Sequence, residues 1–266
     1  MKRILLTVAY DGTSYHGWQL QGEQPTIERE LNRVLSAMTG EEIQVSGASR
    51  TDAGVHSLCN LAVFDTEARM PGDKYSYAMN VRLPKDIRIR ESREVSMDFH
   101  PRTAKTEKTY CYRIYTDKFP NPLERLYSYY TYFELDHEKM NEGIKYLIGE
   151  HDFKSFCSVH TQAKTTIREI TDARVERDGN EIRIFVSGYG FLYNMVRIIA
   201  GTLMEVGRGK YPPEEVKHML DAVDREKGGP TAPPEGLTLM NIRILNPDEL
   251  TSFYAKEDQY FEKNEI

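Results

Sequence analysis

Between Phe191 and Val206 the sequence runs F-L-Y-N-M-V-R-I-I-A-G-T-L-M-E-V, apolar nearly all round. A helix of that character has to be buried, so the rest of the chain must supply layers on every side of it. Its one cation is Arg197, in the middle of the apolar run. Left unpaired there, a guanidinium costs on the order of several kcal/mol, so it needs a carboxylate or a route to water. Asp52 and Glu205 are both candidate partners, and a side chain that snorkels out to solvent is the third solution.

The layers are legible in the hydrophobic period. Ile4 to Tyr10 is apolar on both faces, as a central strand is. Ile27, Leu31, Val34, Leu35 and Met38 recur at helical spacing, with Glu28 near the start and Gly40 at the exit. Ile43 to Gly47 and Leu61 to Phe64 are expected as strands, Tyr75 to Asn80 as a short helix, and Val95, Met97 and Phe99 as a further strand. Thr109 to Tyr115 places Tyr110, Tyr112 and Ile114 on one strand face. Asp136 caps a helix through Met140, Ile144, Leu147 and Ile148, and Asp178-Gly179 turns a hairpin over Val175 to Val186. The buried helix, a surface helix from Pro213 to Val223 and a strand from Leu237 to Leu245 complete the body. The order predicts an α+β chain of two similar layered halves, 1–104 and 105–246, followed by an acidic tail at 247–266.

Neither a membrane protein nor a disulfide scaffold fits the composition. Charged residues make up 29% of the 266, and no run approaches the roughly 20 apolar residues that cross a bilayer. Ile4 to Tyr10 stops at Asp11-Gly12 without a small-residue cleavage site, so we expect a cytoplasmic protein. Cys59, Cys111 and Cys157 are widely spaced and expected as buried, inert thiols. The seven histidines (His160 among them) form no metal-ligating pattern, and no glycine-rich phosphate loop is complete. No metal and no nucleotide cofactor are expected. The net charge of −6 divides unevenly. Asp248 to Ile266 holds six acids and two bases, hence −4, which leaves −2 for the body. Arg82 to Lys108 carries eight bases against five acids, a local +3 that is either a basic face or an ordinary solvated surface.

Three segments bear on chemistry. S-R-T-D-A-G-V-H, Ser49 to His56, places an acid beside an arginine in a short connection between apolar strands. Asp52 there is either a carboxylate held at a sheet edge for chemistry or part of a turn with Arg50 as a surface charge. Arg197 suits Asp52 because a working carboxylate in a partly dry cleft stays ionised beside a guanidinium. The strand around Tyr110 is either a base-stacking face or plain core.

Together and in this order, R-T-D-A-G-V-H, K-T-Y-C-Y-R-I-Y and F-L-Y-N-M-V-R-I-I-A-G resemble the tRNA pseudouridine synthase A family. The resemblance extends to V-A-Y-D-G-T-S-Y-H-G-W-Q, E-H-D-F-K-S-F and G-P-T-A-P-P-E-G-L, and so covers the body from Met1 to about Leu245. It implies a mixed, largely antiparallel sheet packed with helices in each half, with the active-site cleft between them. It also implies Asp52 as catalytic nucleophile, Arg197 as its ion-pair partner, Arg50 as the motif arginine supporting the flipped base, and Tyr110 as the residue stacked on the target uracil. The implied reaction is cofactor-free isomerisation of uridine in the anticodon stem-loop of tRNA by a homodimer, with no membrane partner. Ser49 stands where the family usually has glycine, Ser57 where alanine is common, and Pro101 where alanine often follows F-H. A non-enzymatic RNA-binding module and a small-molecule lyase or hydrolase are the competing readings.

Overall fold

The computed structural model describes residues 1–159, 161 and 163–246, so His160 and the acidic tail lie outside the described residues. In chain order the elements are β1 (Lys2–Tyr10), α1 (Ile27–Thr39), β2 (Ser46–Gly47), β3 (His56–Thr66), α2 (Tyr75–Asn80), β4 (Ile87–Val95), β5 (Thr106–Thr116) and β6 (Tyr129–Thr131). There follow α3 (His137–Ile144), β7 (Gly149–Asp152), β8 (Ile167–Asp178), β9 (Glu181–Gly188), α4 (Met195–Gly207), α5 (Glu215–Asp221) and β10 (Leu237–Ile244). The class is the expected α+β one, and its sheet is mixed and largely antiparallel.

The ten strands belong to one sheet with the path β4-β1-β3-β10-β5-β9-β8-β7, β2 pairing with β3 and β6 with β5 off that path. The last strand makes this continuity. β10 returns to pair in parallel with the start of β3, at Thr238 with His56 and Leu239 with Ser57, and antiparallel with β5, at Leu239 with Tyr110. Because β3 and β10 start side by side, the loops leading into them are neighbours. Those loops are 48–55 and 230–236, and Pro234 lies against Gly54.

Burial follows the two-residue period of β1. Ile4, Leu6 and Val8 join Ala62, Phe64, Ile27, Leu31 and Leu35 in one cluster, while Leu5 shares the second with Tyr110, Tyr112 and the α4 residues Ile198, Ile199 and Leu203. β1 is therefore apolar on both faces because both are covered. Thr26 caps α1 by accepting from the Arg29 amide, and Asp136 caps α3 by accepting from that of Lys139.

Several sequence expectations move. The strand expected at Val95 to Phe99 is β4, which ends at Val95. Its alternation is broken by a register shift opposite Thr7/Val8, and charged residues mark it as an edge strand, so its period is hidden. Only Ser46–Gly47 of the 43–47 strand pairs, and Leu147 lies in a single 3-10 turn past the end of α3. α4 begins at Met195 rather than Phe191, because Asn194 adopts a left-handed conformation (φ 60°, ψ 10°) just before it. Cys111 and Cys157 are buried, whereas Cys59 is half-buried.

Candidate active site

The connection between β2 and β3 is fixed by backbone contacts from the 10–18 segment. Trp18 N–H donates to Thr51 O at 3.1 Å and Gly54 N–H to Tyr15 O at 3.2 Å. Tyr10 Oη lies 2.7 Å from Thr51 Oγ1, and the Asn60 side chain clamps Ser49, donating to its carbonyl at 3.0 Å and accepting from its N–H at 3.2 Å. Glycine is required where these segments meet. A Cβ on Gly12 would stand 2.0 Å from Val55 O, and one on Gly17, itself at φ +82°, would stand 2.4 Å from Thr51 O. The Y-D-G-T-S-Y-H-G-W segment is thus the mould in which the loop sits. Val55 N–H closes on Asp52 O at 3.1 Å, and Gly54 takes the left-handed conformation (φ 77°) that the turn needs.

Asp52 and Arg197 meet across the two neighbouring loops. Arg197 Nη1 lies 3.5 Å from Asp52 Oδ2, a long contact, with the two side chains 16% and 22% exposed. Two shorter bonds hold the guanidinium: Nε donates to Ala232 O at 2.7 Å and Nη1 to Asn194 Oδ1 at 2.8 Å. Ala232 N–H in turn donates to Arg197 O at 3.0 Å. The 230–236 loop lies so close to α4 that a Cβ on Gly201 would be 2.0 Å from Pro230 O. Glu205, the alternative partner, pairs instead with Arg208 and Lys210.

Burial raises the Asp52 carboxyl above the ordinary aspartate range, and the Arg197 charge and hydrogen bond offset only part of that. Its proton affinity is set chiefly by desolvation. Among the described residues, Arg197 is the one side chain that hydrogen-bonds this carboxylate, so Oδ1 is free toward the cleft.

That cleft, about 730 Å³, is lined by Asp52, Arg50, Tyr110 and the 191–196 segment, with Arg102, Lys108 and Arg168 also on its wall. Tyr110 is buried and meets Phe191 edge to face, ring centroids 5.0 Å apart; burial pushes its phenol well above the usual range. Arg50 is exposed. The structure therefore brings Asp52, Arg50 and Tyr110 to one cleft, and Arg197 joins them through its contact with Asp52.

Arg102, Lys108, Arg168 and Asn194 were not singled out as site residues. Arg102 and Lys108 fall in the basic stretch Arg82 to Lys108, whereas Arg168 is on β8 ahead of the Asp178-Gly179 hairpin pattern, and Asn194 lies inside the apolar run that reads as helix. Among the described residues, none of Arg50, Arg102, Lys108 and Arg168 makes an ion pair with a carboxylate. With Asp52 and Arg197 neutralising each other, the cleft carries a cationic surplus on an acidic chain.

A carboxylate with one open oxygen beside a tyrosine ring is suited to chemistry on a flat, anionic substrate. The family model described as tRNA pseudouridine synthase matches residues 6–103 and 144–243, which include Asp52, Arg50 and Arg197; Tyr110 falls between the two stretches. Fold and match define an enzyme of the isomerase class. The chain belongs to the tRNA pseudouridine synthase family. It is 48% identical over 242 residues to tRNA pseudouridine synthase A 2 of Clostridium perfringens, with 91% of this chain and 99% of that one covered. At the same coverage it is 46% identical to tRNA pseudouridine synthase A of Acetivibrio thermocellus and 44% to that of Caldicellulosiruptor bescii. No described helix is long and apolar enough to cross a membrane.

Proposed function

We propose that this chain converts uridine to pseudouridine in the anticodon stem-loop of tRNA, working as a cytoplasmic homodimer. Family membership supports the reaction and the tRNA substrate. The observation that carries the local reading is the partly desolvated Asp52–Arg197 pair opening on a cation-lined cleft.

The reaction breaks the C1′–N1 bond, turns the uracil and forms a C1′–C5 bond. C5 gives up its proton and N1 gains one, so nothing is consumed and no electrons are exchanged. Asp52 acts as the nucleophile: Oδ1, free of protein partners, bonds to the fragment as C1′–N1 breaks, and that bond is released when C1′–C5 has formed, returning the carboxylate. Arg197 keeps that carboxylate ionised against the desolvation that raises its pKa, and its anchors on Ala232 O and Asn194 Oδ1 fix its direction. The uridine leaves its stack to reach Asp52, with Tyr110 against its face and Arg50 at the mouth of the cleft supporting the flipped strand.

The test is unmodified tRNA carrying tritium at uracil C5. Wild-type protein releases the label as pseudouridine forms. Label retained over many enzyme equivalents, with tRNA bound, favours the non-enzymatic binding module, and release from free nucleosides favours a small-molecule enzyme.

A further inference from the structure

We propose that Lys108 and Arg102 form an anion subsite for the phosphate of the nucleotide whose base stacks on Tyr110, an inference that rests on the function proposed above. Lys108 and Tyr110 stand two residues apart on β5 and so share a strand face. Their side chains leave the strand about 6.6 to 6.8 Å apart, roughly the span from a base to its own backbone phosphate. Lys108 Nζ donates one hydrogen to Ala48 O at 3.0 Å, and two remain for a ligand. This bond also ties the ammonium to the strand of loop that carries Asp52. Arg102, on the connection before β5, is near enough to act on Lys108 by like-charge repulsion. Two neighbouring cations without a carboxylate between them are relieved by an anion, and a phosphate oxygen suits both.

Burial, reinforced by Arg102, lowers the Lys108 pKa to about 8. The charged and titratable groups lining this space with Lys108 are His16 of the 10–18 segment, Arg50 and Asp52 of the loop, Arg102 of the connection, Arg168 of β8, Tyr110 of β5 and Tyr193 ahead of α4. Lys108 thus loses its charge just above neutrality, and affinity through it declines as pH rises through about 8.

The experiment measures binding of full-length enzyme to an unmodified tRNA transcript across salt concentration and pH. Lys108→Gln is expected to weaken binding roughly three- to tenfold and to lower the slope of log affinity against log salt by about 0.7 to 1. Lys108→Arg, charged at every pH used, should keep the slope and abolish the alkaline decline. Lys108→Met, measured by thermal melting and binding together, covers the case in which the Gln variant misfolds. A wild-type salt slope in folded Lys108→Gln or Lys108→Met, or an alkaline decline that persists in Lys108→Arg, overturns the proposal and leaves Lys108 as a tie to Ala48. Wild-type tritium release is run alongside: its absence defeats the functional reading itself, whereas its presence with an unchanged slope defeats only the subsite.

Discussion

Two carboxylates, one on the Arg113 side of β5 and one on the Tyr110 side, are held in opposite ways. On the Arg113 side, Glu181 accepts from Arg113 Nε at 2.9 Å, Arg113 Nη2 at 2.7 Å and Arg183 Nε at 2.5 Å. Its carboxyl is held down to about 2, chiefly by the Arg113 hydrogen bonds. On the Tyr110 side, Asp52 has a single arginine at 3.5 Å and a carboxyl raised by burial. Exposure does not separate them, since the two side chains are 16% and 22% exposed. The difference is the number and length of the charge-assisted bonds. Glu181 is satisfied and contributes to the fold; Asp52 is left short of partners, which is what the role proposed for it requires.

The strongest way to break this comparison is Asp52→Asn. On the proposed mechanism tritium release from C5 falls by at least about a thousandfold. The melting temperature at neutral pH is expected to hold or rise. The sign follows from the pKa: a folded-state value raised above the unfolded one means that ionisation opposes folding, so the neutral amide removes a penalty. Arg197 retains Ala232 O and Asn194 Oδ1 in that variant. Substantial turnover, or a melting temperature well below wild type, would put Asp52 among the structural acids.

Arg197→Ala is next in size and acts on the other partner. It leaves Asp52 buried without its cation and removes a side chain held by α4 and the 230–236 loop, so activity is lost and stability falls by about 3 kcal/mol. Adding Asp52→Asn to it should restore part of that stability. If the double variant is no more stable than Arg197→Ala in denaturant melts, the two groups are energetically independent and the contact at 3.5 Å is incidental.

Glu181→Gln gives the contrast on the far face. Stability is expected to drop by about 2 kcal/mol while activity per folded molecule stays within roughly twofold of wild type. Because the Glu181 pKa is lowered from its ordinary 4.5 to about 2, its stabilisation is complete above 4.5 and is lost as pH falls toward 2. Acid unfolding of the variant should therefore be shallower across that window, whereas the stability gained by Asp52→Asn at neutral pH should fade as pH falls and the wild-type carboxyl is protonated.

How far this division was legible in the sequence depends on where the information lies. The buried helix, the Asp178-Gly179 hairpin and the capped helices α1 and α3 are local patterns, and each stands within a few residues of its expected place. β4 was misplaced because a bulge and an exposed edge erase its period, and the start of α4 moved because one left-handed asparagine ends the loop before it. Continuity of the sheet depends on β10 meeting β3 across some 180 residues of chain, which no local period reports. Asp52 and Arg197 both drew attention in the sequence, one as an acid in a strand connection and the other as a cation in an apolar helix. What brings them together is the parallel start of β3 and β10. Arg102, Lys108 and Arg168 converge only once the strands are paired, so their common cleft is a property of the topology.

The smallest expected effect concerns the aromatic ring beside Asp52. Tyr110 is held by the core below it and by Phe191 at its edge, and its raised pKa keeps the phenol neutral at any working pH. A ring so placed acts through its face, and base–aromatic stacking contributes about 1 to 3 kcal/mol. Tyr110→Phe should then fall no more than a few-fold in single-turnover tritium release, while Tyr110→Ala loses roughly ten- to a hundredfold. Both variants melt below wild type if the ring also serves the core, so rates are compared per folded molecule. Equal rates for Phe and Ala would remove stacking from the mechanism and return Tyr110 to the core, which would leave Lys108 as the residue of β5 with a part in the site.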